Sequence, residues 1–152
     1  MLPPMPTDIT PWTGPVAITL AYMALYYVFI LNVARVKTKL AAEYAAKGEK
    51  FDRYFGEDRH MLAADRIQLN LLEHMGPFLV LLWLNAVFVG TVSASIAGGV
   101  YLVSRVAYPV LMGGRLGRGI RASILLATGP GYAVILWYLG ALVWAMAVGP
   151  IG

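Results

Sequence analysis

A cation, an amide and a carboxylate stand together inside a segment that is otherwise apolar. Residues 66–74 read RIQLNLLEH. At about 100° per residue on a helix, Arg66, Asn70 and Glu73 fall near 0°, 40° and −20° and share one stripe, with Gln68 and His74 off it. Further along, Arg105, Tyr108 and Met112 occupy one face of a second apolar segment, and Arg121 opens a third. Both clusters flank the same end of their segments, so they can converge on a polar pocket. Charge buried in a bilayer costs a few kcal/mol per residue, and it marks either a site or a paired network. The structural alternative is that Arg66 and Arg105 snorkel to headgroups, Asn70 bonds a neighbouring helix and Glu73 pairs with an arginine. The chain has no cysteine and two histidines, which excludes disulfides, a thiolate metal site and a cysteine nucleophile, and leaves a poor basis for any metal site. Any sulfur chemistry must be brought in by a ligand. The stretch GGRLGRG at 113–119 follows no strand and lacks the Lys-Ser/Thr pair of a phosphate-binding loop, so it reads as a flexible basic connection.

The elements that must carry these residues are membrane spans. Of the 152 residues, 59% are apolar and 13% charged, and the mean hydropathy is +0.67. A spanning helix needs roughly 20 mostly apolar residues. Windows of that kind run over approximately 15–34, 67–89, 92–112 and 120–148. Runs such as LAYMALYYVFIL do not alternate, which argues against a barrel. The chain therefore reads as one all-α domain, an integral membrane four-helix bundle over 1–152, with connections at 35–66 and 113–119.

Every Lys and Arg lies between Arg35 and Arg66 or between Arg105 and Arg121, which accounts for the net charge of +4 as topology rather than as a nucleic-acid surface. Those two connections are expected on the cytoplasmic side and both termini away from it, in a bacterial inner membrane or, in a eukaryote, the endoplasmic reticulum. The uncharged turn near 90–95 falls on the opposite face. A solvated loop is the default expectation for 37–65, with continuation of the first helix into water as the alternative. Gly129, Pro130 and Gly131 are expected to interrupt and kink the fourth helix.

These residues resemble the MAPEG family, the membrane-associated proteins in eicosanoid and glutathione metabolism. The family's second helix carries Arg-x-Gln-x-Asn-x-x-Glu, matched by Arg66, Gln68, Asn70 and Glu73. Its first-helix arginine falls on Arg35, and its third-helix arginine with Tyr or His three residues later falls on Arg105 and Tyr108. Arg121 lies sixteen positions after Arg105, the spacing of the arginine that opens the fourth helix in the prostaglandin synthase branch. Leu62 and Ala63 replace a preceding Glu-Arg pair, Met112 replaces a second tyrosine, and Ala122 replaces the serine after the fourth-helix arginine, with Ser123 one place later. These differences argue against that particular isomerase and leave the arginine-rich pocket in place.

The resemblance implies glutathione as cofactor, held by Arg35, Arg66, Gln68, Asn70, Glu73, His74, Arg105 and Tyr108. The arginines would take carboxylates through forked bonds, and Glu73 would take the ammonium. Arg121 would stabilise the thiolate, which is the nucleophile. The implied activity is a transferase or hydroperoxide reductase acting on a lipophilic electrophile that arrives from the bilayer. A homotrimer whose pockets lie between neighbouring subunits is also implied. The rival readings are a noncatalytic lipid-binding or scaffold member of the same fold, and a small transport subunit using Glu73; Glu73 beside arginines is better explained as a paired group.

Overall fold

The computed structural model of the chain describes residues 8–117 and 122–149. A short 3-10 turn at Thr10–Trp12 leads into α1 (Thr13–Ala46), followed by α2 (Arg59–Phe88), α3 (Thr91–Met112) and α4 (Ala122–Val148). All four are long and apolar enough to cross a membrane. With the described elements all helical, most backbone groups of each span bond within the span, as a bilayer requires, the exceptions lying opposite Pro77, Pro109 and Pro130. α2 and α3 each pack against the other three helices. The outer surface carries Leu31, Val80, Val103, Leu126 and Trp144, all exposed, as a lipid-facing surface must.

The connection expected at 35–66 is mostly helix. α1 runs to Ala46 and α2 begins at Arg59, so the irregular part is confined to 47–58. The residues from Lys37 to Ala46 are dominated by Ala, Lys, Leu and Glu, which are good helix formers, and Lys39 and Glu43 pair at 3.7 Å across one turn. This extension is not simply solvated. Leu40 is buried with Met61 and Ala64, and Val33, Val36, Tyr44 and Phe51 pack around them in a small second core.

Side chains close the connection above that core. Asp58 caps α2 by accepting from the backbone N–H groups of His60 and Met61 at 2.9 and 3.0 Å, and the Tyr44 hydroxyl donates to its other oxygen at 3.0 Å. Arg53 forks onto both oxygens of Asp65 at 2.8 and 2.9 Å. This end of the molecule also holds the start of the α3–α4 connection, where Leu116 donates its N–H to the Arg59 carbonyl at 2.9 Å and His60 Nδ1 lies 2.7 Å from the Gly114 carbonyl oxygen.

At the opposite end the turn is tighter than 90–95. α2 and α3 are separated by Val89 and Gly90 alone, and both of their N–H groups donate to the Asn85 carbonyl, at 2.9 and 2.8 Å. Gly90 has φ +154°, a value that side-chain-bearing residues rarely adopt, so the turn requires glycine here. α4 runs through Gly129, Pro130 and Gly131 as one continuous helix rather than being interrupted there.

Between the two ends, the core is an aromatic column. Phe78 stacks on Tyr101 with centroids 3.9 Å apart, and Tyr22 and Tyr138 flank the pair at 5.3 and 6.3 Å from Phe78. Tyr22 donates to the Leu71 carbonyl at 2.5 Å and Tyr138 to the Ala94 carbonyl at 2.6 Å, so two buried phenols tie α1 to α2 and α4 to α3.

Candidate functional site

The site residues on α2 divide at the edge of the buried face. Asn70 turns inward and is buried, whereas Arg66 and Glu73 remain outside, their side chains 52% and 47% exposed. Those two face each other, Arg66 Nη1 standing 3.7 Å from Glu73 Oε1. They lie seven residues and two turns apart, so their pairing follows directly from the helical repeat. Pro77 follows Glu73 by four residues and has no N–H, which leaves the Glu73 carbonyl without its usual helical donor beside the Glu73 carboxylate. Gln68 is half-buried on the same stretch.

Arg105 does not snorkel. It is 1% exposed and points into the bundle, where Nη1 donates to Asn70 Oδ1 at 2.7 Å and Nε to Ser104 Oγ at 3.3 Å. Its guanidinium carbon sits 4.8 Å from the centroid of the Tyr101 ring, one helical turn earlier. A desolvated contact of this kind contributes about 2 kcal/mol. Among the described residues no carboxylate lies within ion-pair distance of Arg105, and Nη2 has no hydrogen-bond partner. The buried cation is therefore held by an amide, a hydroxyl and an aromatic face. α4 makes room for it at Gly131, where a Cβ would collide with the guanidinium and with Ser104.

His74 joins the same node from the side. Its Nδ1 lies 2.9 Å from the Asn70 carbonyl oxygen, and its ring meets Tyr132 of α4 edge-on at 5.2 Å. Asn70 thus uses its side-chain oxygen for α3 and its main-chain oxygen for His74. The Asn70–Arg105 bond and the His74–Tyr132 ring contact bring α2, α3 and α4 together at this level of the bundle.

The remaining expected residues are placed less closely together. Tyr108 is buried in the main core on the same face of α3 as Arg105 and Met112. Arg35 is exposed on α1 and has no ion-pair partner among the described residues. Arg121 lies outside the described residues. Two apolar grooves of about 480 and 530 Å³ lie on α3 and between α3 and α4; Val103 and Ala107 line both, and among the described residues no expected site residue lines either. Sequence reasoning missed Tyr101, Ser104 and Gly131. Tyr101 precedes Arg105 by four residues and was open to detection as a same-face aromatic; Gly131 had no signal beyond its type.

Fold and site together define an integral, multi-pass, all-α membrane protein with a polar node close to the charged end of its bundle. The MAPEG family profile matches residues 15–148, and the chain belongs to that family. The chain is also similar to the uncharacterized protein sll1147 of Synechocystis sp., with 33% identity over 96 residues. That match covers 62% of this chain and 63% of the cyanobacterial protein.

Proposed function

We propose that this protein is a glutathione-dependent transferase or hydroperoxide reductase that acts on lipophilic electrophiles within the bilayer. The observation that carries the reading is the division on α2. An unlike-charged pair, Arg66 and Glu73, is left half-exposed on an otherwise lipophilic surface, beside an Asn70 already locked to Arg105. Exposed charge on a membrane helix calls for a partner, and a zwitterionic tripeptide offers a carboxylate to Arg66 and an ammonium to Glu73. Gln68 and Tyr108 complete the polar set, Arg35 takes the second carboxylate, and Arg105 acts through Asn70. Arg121 stabilises the thiolate, as the resemblance implies. A second copy of the chain covers the exposed face of α2, in keeping with a homotrimer, and the charged end faces the cytoplasm.

Glutathione titrated calorimetrically into the detergent-solubilised protein tests the binding site. Glu73→Gln and Arg66→Ala should each weaken binding by about 1–3 kcal/mol, because each leaves a charged ligand group without its partner. Parental affinity in both variants would place the pocket elsewhere. A second reading, a lipid-presenting protein without catalysis, is favoured by the two apolar grooves, which need no cation. It predicts lipid binding with no response to glutathione.

A further inference from the structure

Histidine is the side chain whose ordinary titration lies near neutrality, and one of the chain's two histidines sits in this node. A carbonyl oxygen can only accept, so the 2.9 Å contact with Asn70 O places the proton of the neutral ring on Nδ1. Nε2 is then a bare acceptor, and among the described residues it has no hydrogen-bond partner. The ring is half-buried and braced by Tyr132, so its direction is set from two sides. The neighbouring charged and titratable groups are Glu73 and Arg66 on its own helix, Tyr132 on α4, Arg105 of α3 behind Asn70, and Tyr22 of α1, whose hydroxyl is committed to Leu71. The other histidine, His60, is engaged with the Gly114 carbonyl at the charged end.

We infer that His74 is the proton carrier of the site, with Nε2 taking the thiol proton of glutathione and returning it to the product. The inference rests on the glutathione reading above. When the S–H bond breaks, its electron pair stays on sulfur and the proton passes to Nε2, giving a thiolate and an imidazolium. The imidazolium keeps its Nδ1–H on Asn70 and gains an N–H at Nε2. Sulfur then forms its bond to the electrophilic carbon of an epoxide, for example, as the carbon–oxygen bond breaks and its pair goes to oxygen. Nε2 delivers its proton to that oxygen, so the hydroxy thioether forms and the ring returns to neutral with no other reactant. His74 supplies the place for the proton.

The test uses the full-length protein in detergent with 15N-labelled histidine, the His60 signals being assigned with His60→Gln. At pH 7, saturating glutathione should convert the His74 signals from a neutral ring protonated at Nδ1 to an imidazolium, in step with thiolate absorbance. Less than one proton per thiolate should then appear in the buffer. His74→Gln keeps a donor for the Asn70 carbonyl but has no basic nitrogen. It should release one full proton per thiolate and lose at least about tenfold in kcat with little change in KM. Thiolate formed while His74 stays neutral, or with one full proton released by the parent, overturns the inference and leaves the glutathione reading standing. Absence of any thiolate signal overturns both. Should the variant fail to fold, the spectrum of the parent decides alone.

Discussion

Two polar pairs start from the same two turns of α2, one running across to α3 and one along the helix, and they are built for opposite purposes. Asn70 and Arg105 are joined at 2.7 Å inside the bundle, where every group that touches the guanidinium is fixed by packing. Arg66 and Glu73 stand 3.7 Å apart and half-exposed, a looser pair that an incoming ligand can separate. Low dielectric makes the inner bond costly to break and the lost partner costly to leave unpaired. The outer pair, with solvent and headgroups at hand, contributes at most about 1 kcal/mol to folding. A fixed inner pair beside an adaptable outer one is the arrangement that the proposed ligand site calls for.

The sharpest way to break this contrast is Asn70→Leu, which leaves the buried guanidinium without its amide. Thermal unfolding in detergent should show a loss of about 3 kcal/mol, most of it regained in the double variant Asn70→Leu with Arg105→Met, since removing the charge removes the penalty. Additive losses would mean the node is not a unit. Gly131→Ala should cost about 2 kcal/mol in the same assay, because the added methyl group meets the guanidinium, and Arg105→Met should relieve it.

A smaller effect is expected at the charged end, where Asp58→Ala should cost about 1 kcal/mol through loss of the α2 cap. Burial raises the Asp58 carboxyl pKa, but the N–H groups of Met61 and His60 and the Tyr44 hydroxyl outweigh it, so the group titrates below its ordinary value. A depressed carboxyl pKa stabilises the fold above the unfolded value near 3.9 and loses that contribution as pH falls through the folded value. The acid limb of the unfolding profile should accordingly be shallower in Asp58→Ala. Least of all, Glu73→Gln should change stability by less than about 0.5 kcal/mol while weakening glutathione binding. A large loss of stability there would make the outer pair structural and erase the distinction.

Much of this was legible in the residues. Apolar windows located the four spans, and the helical repeat put Arg66, Asn70 and Glu73 on one stripe. The repeat gives relative angles only. It could not say that the boundary between interior and exterior would run through that stripe, sending Asn70 in and the other two out. Charge density made 35–46 read as a solvated connection, whereas the helix-forming residues around Leu40 continue α1 because Met61 and Ala64 give them something to bury against. Snorkelling of Arg105 was a fair expectation for an arginine about 10 Å from a helix end. What turned it inward was a tyrosine one turn back, an amide on a second helix and a glycine on a third, a combination visible only once the helices are packed.

The central claim is an arginine-stabilised glutathione thiolate in the membrane, and the most direct measurement is the ultraviolet thiolate absorbance of the protein saturated with glutathione, followed against pH. In the parent the bound thiol should ionise well below the ordinary thiol pKa of about 8.5. Arg121→Ala should still bind glutathione but titrate higher, losing nearly tenfold of its thiolate at neutral pH for each unit of rise, with activity restored as pH is raised. Lysine at this position should recover part of the shift, having the charge without the planar fork. A parent that binds glutathione yet shows no thiolate below pH 8.5 would contradict the account.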